Sequence, residues 1–153
     1  MNFESVDDIL AYAIEKEKEA VQFYTELAGK EKFKSVKETF ENFAKEEGKH
    51  VTLLEGLKTD KGKVEEYELK EIPDLKISNY LVETEYKEGM FMQDILRIAM
   101  KREEMAVKLY NDLAQKTKNA EVVRVLNILS QEEAKHKLGL ETMYDDFLAD
   151  NEN

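Results

Sequence analysis

The chain has 153 residues, of which 42% are hydrophobic and 37% are charged, so it is long and apolar enough for one folded domain with a core. Its formal net charge of −11 argues against nucleic acid and anionic membranes as partners, because both would repel it. The absence of cysteine excludes disulfides, zinc–thiolate sites and iron–sulfur clusters from these residues.

Neither a membrane-spanning segment nor an export signal is predicted. No apolar run approaches the length of about 18 residues that a membrane-spanning helix needs. The N-terminal residues up to Asp8 are acidic and lack a basic start followed by an apolar run, so we expect no signal peptide. We therefore expect a single cytoplasmic domain over residues 1–153. One proline and six glycines favour a few long helices over many short strands.

The first predicted helix covers residues 5–29. The segment Ser5-Val6-Asp7-Asp8 has the form of a capping box with aspartate in place of glutamate, and Gly29 is a candidate C-cap. Core positions recur at alternating steps of three and four residues, which is the period of a helix that buries one face. They are occupied by Leu10, Ala13, Glu17, Ala20, Tyr24 and Leu27. A carboxylate is therefore predicted to point into the core from this helix.

The second predicted helix covers residues 33–58 and follows a turn so short that the two helices must be antiparallel neighbours. Its core positions are occupied by Phe33, Val36, Phe40, Phe43, Glu47, His50, Leu54 and Leu57. Glu47 and His50 fall where apolar residues are expected. Uncompensated charge in a core is costly, and a metal ion is the usual compensation for glutamate and histidine together. Both residues are therefore candidate metal ligands.

Residues 59–88 lose the helical period and contain the only proline, Pro73. Short extended pieces, such as residues 76–82, are consistent with this segment. About thirty residues reach roughly 100 Å when extended, whereas a helix of about 25 residues is only about 37 Å long. The segment is therefore predicted to cross the whole bundle, so that the third helix starts at the far end.

The third and fourth predicted helices cover residues 90–116 and 119–149, and residues 150–153 are predicted to form a frayed polar tail. The core positions of the third helix are Met92, Leu96, Ala99, Glu103, Ala106, Tyr110 and Leu113. Those of the fourth are Val122, Leu126, Leu129, Glu133, His136, Leu140, Met143 and Phe147. The predicted fold is thus all-α, a four-helix bundle of two antiparallel helix pairs joined by a long crossover.

The two helix pairs repeat one pattern at a fixed offset of 86 residues. This offset relates Glu17 to Glu103, Tyr24 to Tyr110, Glu47 to Glu133 and His50 to His136. A single offset without a gap indicates duplication of a helical hairpin. Each hairpin supplies one Glu, one Glu-x-x-His and one Tyr, and both histidines of the chain lie in that motif.

Six core residues are candidate metal ligands: Glu17, Glu47, His50, Glu103, Glu133 and His136. One glutamate from each of two helices, with Glu-x-x-His from each of the other two, is the di-iron or di-manganese carboxylate arrangement of helix bundles. Two divalent ions would neutralise the four carboxylates. Carboxylate and imidazole ligands without thiolate suit iron or manganese and also tolerate zinc. The expected terminal ligands are Glu17 and Glu103, the expected bridging ligands are Glu47 and Glu133, and each ion receives one histidine, His50 or His136.

Tyr24 and Tyr110 each follow a candidate terminal glutamate by two helical turns on the same face. Their hydroxyls could orient metal ligands or donate an electron to an oxidised site, and plain core packing fits the pattern equally well. The glutamates next to the candidate ligands are expected to face solvent: Glu46, Glu104 and Glu132.

At these residues the chain resembles the ferritin-like superfamily, and most closely the rubrerythrin-type di-iron proteins. The resemblance extends over all four helices and is carried by Glu17-x6-Tyr24, Glu103-x6-Tyr110 and the segments 44–50 and 130–136, which end in Glu-x-x-His. It implies a ferritin-like four-helix bundle with a non-haem di-iron centre that reacts with hydrogen peroxide or dioxygen. The family includes peroxidases, oxidases, ferroxidases and radical-generating subunits.

Two departures from rubrerythrins bear on the activity. Rubrerythrins commonly add a rubredoxin-like domain with four cysteines for electron delivery, and this chain has none, so any reductant must come from an external donor such as a rubredoxin-like protein. Typical rubrerythrins also carry a further glutamate three residues after the first on the third helix, where this chain has Ala106. The expected site is then symmetric, as in bacterioferritin.

Three functions are consistent with the predicted site. The first is reduction of hydrogen peroxide or dioxygen by a di-iron oxidoreductase, which the resemblance favours. The second is a ferroxidase or iron-storage function, and storage would need a cage of many subunits. The third is a bundle that binds zinc or a similar ion without redox chemistry. Helix bundles with amphipathic outer faces often dimerise, so we expect a homodimer.

Overall fold

The computed structural model describes residues 5–60, 72–77, 86–87 and 90–152. The helices are α1 (Val6–Lys30), α2 (Lys34–Asp60), α3 (Met92–Ala114) and α4 (Ala120–Glu152), and no strand occurs within these ranges. The predicted all-α architecture with four long helices is therefore confirmed. None of the described helices combines the length and apolarity that a bilayer span requires.

The chain divides into two compact units. The first unit comprises residues 1–66 and 115–125, and it includes α1 and α2. The second unit comprises residues 67–114 and 126–153, and it includes α3 and α4 from residue 126 onwards. Each half of the sequence repeat thus supplies the helices that dominate one unit.

The N-cap that the capping-box motif predicts at the start of α1 is present. Ser5 is the N-cap, and its hydroxyl accepts a hydrogen bond from the backbone N–H of Asp8 at 3.1 Å. This bond satisfies one of the backbone donors that a helix N-terminus leaves open, and the acidic side chains in the first turn suit the positive end of the helix dipole. The start of α1 was therefore predictable from residues 5–8.

The end of α1 differs from the prediction that Gly29 caps it. The helix continues to Lys30 and is capped by Glu31, which is extended at φ −81° and donates its N–H to the carbonyl of Ala28. The Glu31 carboxylate then accepts the backbone N–H groups of Lys32 and Phe33 at 3.0 and 3.3 Å. Because Glu31 ends the helix with an extended backbone, this helix end needs no glycine in the left-handed conformation.

The beginning of α2 corrects two further expectations. The helix starts at Lys34 rather than at residue 33, and the carbonyl of Phe33 accepts the N–H of Lys37 at 2.9 Å. Phe33 is 68% exposed, although its spacing placed it in the core. A residue just before the helix does not follow the helical period, which explains the error.

The first unit has its core where α1 packs against α2. Seven apolar residues of the predicted stripes are buried: Leu10, Ala13, Tyr24 and Leu27 from α1 with Phe40, Leu54 and Leu57 from α2. Each of the leucine and phenylalanine side chains among them contributes roughly 1.5–3 kcal/mol. Three other predicted core residues are only half-buried, namely Ala20, Val36 and Phe43, and α1 also buries Ile9, Ile14 and Ala28. The period of three and four thus identifies most of this core.

The bounds of α3 and α4 differ from the sequence prediction by a few residues. Helix α3 begins two residues later than predicted, because Phe91 precedes it and accepts the N–H groups of Asp94 and Ile95 through its carbonyl. Helix α4 begins after Asn119, whose side-chain oxygen accepts the N–H of Val122 at 3.2 Å. The predicted frayed tail is wrong as far as Glu152, which is still helical. No proline or glycine interrupts that end, and extending an existing helix costs little.

Only part of the predicted crossover lies within the described residues, namely 72–77 and 86–87. Helix α2 extends to Asp60, so the segment begins slightly later than predicted. Lys76 has a positive φ of 60°, which rules out a regular extended piece starting there. The rest of that predicted piece, and the path of the crossover, lie outside the described residues.

Candidate metal centre

The first unit brings together three of the predicted ligands, which we call the first half-site: Glu17 from α1 with Glu47 and His50 from α2. All three side chains are buried. The Nδ1 atom of His50 lies 3.4 Å from Glu17 Oε1 and 3.7 Å from Glu47 Oε1. The spacing of three residues within α2 puts its two members on one face, and the packing of α1 on α2 adds the third.

The second unit repeats this arrangement in the second half-site: Glu103 from α3 with Glu133 and His136 from α4. These side chains are also buried. The Nδ1 atom of His136 lies 3.6 Å from Glu103 Oε1 and 3.9 Å from Glu133 Oε2. The duplication seen in the sequence is therefore also a duplication of side-chain geometry.

Each half-site has a donor set that fits a divalent cation. Its three residues offer one ligand atom apiece, and these atoms lie within 4.8 Å of one another. Two buried carboxylates so close together repel each other, and a single imidazole offsets little of that charge. Oxygen and nitrogen donors without thiolate suit iron, manganese or zinc. The residues of each half-site therefore fit a divalent metal ion.

The two predicted tyrosines are buried in different surroundings. The ring of Tyr24 stacks on Phe40 at 6.0 Å between centroids, and it meets Phe23 and Phe43 edge-on at 5.2 and 5.3 Å. Tyr110 is equally buried. The repeat places leucine at all three positions equivalent to those phenylalanines: Leu109, Leu126 and Leu129. A role of either hydroxyl in orienting ligands or transferring electrons stays a prediction.

Glu104 is a buried residue that the sequence prediction placed in solvent. It lies on α3 next to Glu103, and the Lys101 Nζ atom is 2.7 Å from its Oε2 atom. Lys108 reaches the other carboxylate oxygen at 3.7 Å. The sequence did carry a signal for these ion pairs. Lysines stand three residues before and four residues after Glu104, and those positions share a helix face with it. The other two glutamates expected to face solvent, Glu46 and Glu132, are half-buried.

A second group of buried polar residues on α4 was also missed. Lys137 and Glu141 are both buried, and each bonds to the described crossover residues. Tyr144 accepts a hydrogen bond from Arg97 Nε at 2.9 Å. No regular period reveals such contacts, since their partners lie far apart in the sequence.

These observations define a class of protein: an all-helical chain with a duplicated, buried carboxylate–histidine site. Comparison with known families gives a match to rubrerythrin over residues 8–144. The chain belongs to the rubrerythrin family. The resemblance read from the motifs is thus confirmed.

Two solved structures have a similar fold. A hypothetical protein from Pyrococcus furiosus is 32% identical, with a TM-score of 0.69 over 95% of this chain and 92% of that chain. A Thermotoga maritima protein assigned as a ferritin-like diiron-carboxylate protein is 22% identical, with a TM-score of 0.69 over 95% of this chain and 97% of that chain. At that identity the second likeness shows the fold alone, and it confirms the predicted ferritin-like bundle. No curated protein sequence matches the chain.

Proposed function

We propose that this is a di-iron protein in which the two half-sites bind iron, and that it reduces hydrogen peroxide or dioxygen at this metal centre. The observation that carries the proposal is the repeated cluster of two buried carboxylates and one imidazole. Membership of the rubrerythrin family supports iron as the metal. Manganese or zinc would suit the same donors.

The ligand roles follow from charge and from the repeat. Four carboxylates carry a formal charge of −4, which two divalent ions neutralise. Glu17 and Glu47 would hold iron in the first half-site, and Glu103 and Glu133 would hold it in the second. Each histidine would bind through Nδ1, the atom that faces both carboxylates of its half-site, which requires a neutral imidazole with its proton on Nε2.

The surrounding residues would control what reaches the centre. Burial of all six ligands excludes bulk water and admits only a small oxidant. When bound in the reduced state, two iron ions would supply the two electrons that convert hydrogen peroxide and two protons into two water molecules. The hydroxyls of Tyr24 and Tyr110 would hold ligands in orientation or pass on an electron. Because the chain has no cysteine, an external donor such as a rubredoxin-like protein would restore the reduced state.

The test is stopped-flow absorbance of anaerobically Fe(II)-loaded protein mixed separately with hydrogen peroxide and with dioxygen. We expect oxidation of two irons per chain, faster with peroxide. The Glu47→Gln variant removes the charge of one proposed ligand and should lose most of the rapid phase. The Glu55→Gln variant changes an exposed glutamate on the same helix and should behave as the unmodified protein. Two bound irons that neither oxidant oxidises would refute the redox function and leave a non-redox metal site.

A ferroxidase is the second candidate function, and one observation favours it. Position 106 is alanine rather than the additional glutamate of typical rubrerythrins, and the two half-sites have closely similar distances. Such a symmetric donor set also suits Fe(II) oxidation by dioxygen. Faster oxidation by dioxygen than by peroxide in the same experiment would favour this function. Sedimentation would then decide about storage, since the proposed homodimer cannot enclose an iron core.

A further inference from the structure

Two crossover residues, Asp74 and Ile77, are bonded to α4 within the second unit. The Asp74 carboxylate accepts a hydrogen bond from the ammonium group of Lys137. The same Asp74 oxygen accepts the backbone N–H of Lys76 at 2.8 Å. The backbone N–H of Ile77 then donates to Glu141 Oε2 at 2.8 Å. Side-chain and backbone bonds together thus fix this short segment on the helix.

The α4 side of this contact is deeply buried. Glu141 is 0% exposed and Lys137 is 5% exposed, and the Lys137 Nζ atom lies 3.4 Å from Glu141 Oε1. Burial of two charged groups often costs more free energy than their attraction returns. Such a pair therefore often fixes a unique arrangement rather than adding stability. Here the arrangement is the position of Asp74 and Ile77 on one side of the helix.

The backbone of the segment is also held in an unusual conformation. Lys76 has φ 60°, which lies in the left-handed region that residues other than glycine and asparagine rarely adopt. It lies between the two anchors, because its own N–H bonds to Asp74 and the next N–H bonds to Glu141. The bonds on either side therefore maintain a conformation that a lysine would not take by itself.

We infer that Asp74, Lys137 and Glu141, with the Ile77 amide, form a latch that positions His136 for metal binding. Lys137 follows His136 directly in α4, and Glu141 lies about one turn further along. A helix rotates as a rigid body, so fixing the direction of Lys137 and Glu141 also fixes the direction of the preceding imidazole. Lys137 and Glu141 are then positioning residues of the second half-site, a role that rests on the proposed metal-binding function.

The repeat provides an internal comparison. The residue equivalent to Lys137 in α2 is Val51, and the residue equivalent to Glu141 is Glu55, which is exposed. The first half-site therefore has no counterpart of the latch at these positions. If the latch positions His136, its loss must weaken one of the two metal-binding steps more than the other.

The first measurement is a Co(II) absorbance titration of the metal-free full-length protein. Glu141→Ala should weaken one of the two binding steps tenfold or more, which is the usual effect of removing a group that orients a ligand. Glu141→Gln keeps an oxygen for the Ile77 amide and should restore that step to within about threefold. Glu55→Ala is the matched control and should leave both steps unchanged. A merely structural role of Glu141 would weaken both steps together, and this result would overturn the inference.

The second measurement is hydrogen exchange of the Ile77 amide in the metal-free protein. Glu141→Ala should accelerate this exchange at least tenfold, and Glu55→Ala should not change it. Faster exchange with two unchanged Co(II) steps would refute the positioning role. Unchanged exchange would refute the latch itself. Absence of Co(II) binding by the unmodified protein would refute the proposed function and with it the positioning role, whereas the exchange result would still decide whether the latch exists.

Discussion

The two units contain the same ligand set in different surroundings. The histidine-to-carboxylate distances are 3.4 and 3.7 Å in the first half-site and 3.6 and 3.9 Å in the second. Around the first, Tyr24 packs among phenylalanine rings. Around the second, the helices carry buried or half-buried polar pairs, such as Arg97 with Tyr144 and Lys101 with Glu104. Local helix geometry thus repeats the ligands, while the packing around them is free to differ.

This contrast indicates how stability should be distributed between the units. An aromatic core gains from burial of large apolar surfaces, and it loses heavily when a ring is removed. A polar network contributes less per bond, because water competes for the same groups. The two half-sites are therefore expected to respond alike to metal and differently to changes in their surroundings.

The largest expected effect is the response to metal. Mn(II) should stabilise the native state by about 4 kcal/mol for each ion when its free concentration exceeds Kd a thousandfold, hence about 8 kcal/mol for two ions. His50→Ala and His136→Ala should each remove about half of this gain if the half-sites are equivalent. Urea unfolding with Mn(II) and with EDTA measures the difference. If a variant with both His50→Ala and His136→Ala still gained stability from Mn(II), this result would contradict the assignment of both histidines as ligands.

The next effect compares Phe40 with Leu126, its counterpart in the repeat. Both are fully buried, but only Phe40 stacks on a tyrosine ring. In metal-free protein, Phe40→Ala should cost about 4 kcal/mol and Leu126→Ala about 3 kcal/mol by urea unfolding. The exposed Phe33 is the control, and its replacement by alanine should change stability by less than about 0.5 kcal/mol. A larger loss at Leu126 than at Phe40 would reverse the comparison.

A smaller effect is expected in the polar network of the second unit. Tyr144→Phe removes the acceptor for Arg97 Nε but keeps the ring, which the guanidinium also approaches at 5.6 Å. We expect a loss of about 1 kcal/mol, because water can reach the half-exposed arginine. The repeat counterpart of Tyr144 is the exposed Lys58, and Lys58→Met should leave the unfolding midpoint unchanged. No difference between these variants would mean that the bond to Arg97 adds nothing.

The smallest effect is a pH dependence at the latch. The hydrogen bond from Lys137 holds the pKa of Asp74 below its ordinary value of 3.8, although partial burial acts in the opposite direction. The stabilisation is therefore complete above pH 3.8 and is lost as pH falls through the lowered pKa. The Asp74 side chain is 51% exposed, so screening keeps the contribution below about 1 kcal/mol.

The Asp74→Asn variant isolates this contribution. The difference in unfolding free energy between it and the unmodified protein should be constant above about pH 5 and should shrink below that pH. Urea unfolding at a series of pH values measures it, and the comparison cancels the titration of the other carboxylates. A difference that grows towards low pH would have the wrong sign for a lowered pKa.

The four helices and the composition of each half-site were predictable from the sequence because both depend on local geometry. Glu47 and His50 interrupt an apolar period of three and four, and the same interruption recurs 86 residues later at Glu133 and His136. A charged residue at a core position is informative because burial of charge needs compensation. The position of one half-site relative to the other depends on tertiary packing, and the spacing of apolar residues does not encode it.

The errors concern residues whose environment is set by single contacts. Gly29 was expected to cap α1, but the Glu31 carboxylate and an extended backbone make the turn instead. Glu141 bonds to a backbone amide 64 positions away, and neither partner belongs to a repeating pattern. Such contacts are specific to the tertiary structure and leave no trace in hydrophobic spacing.

The left-handed backbone at Lys76 has a consequence for proteolysis. The Lys76–Ile77 peptide bond has the chemistry of a trypsin site, but proteases cleave extended segments, and this segment turns at φ 60° with its amide bonded to a buried carboxylate. Cleavage at this bond therefore requires the segment to leave α4 first, and the cleavage rate follows the population of that open state. The rate of trypsin cleavage at this bond therefore measures the local equilibrium between the bound and the released segment, which neither absorbance nor thermal unfolding resolves.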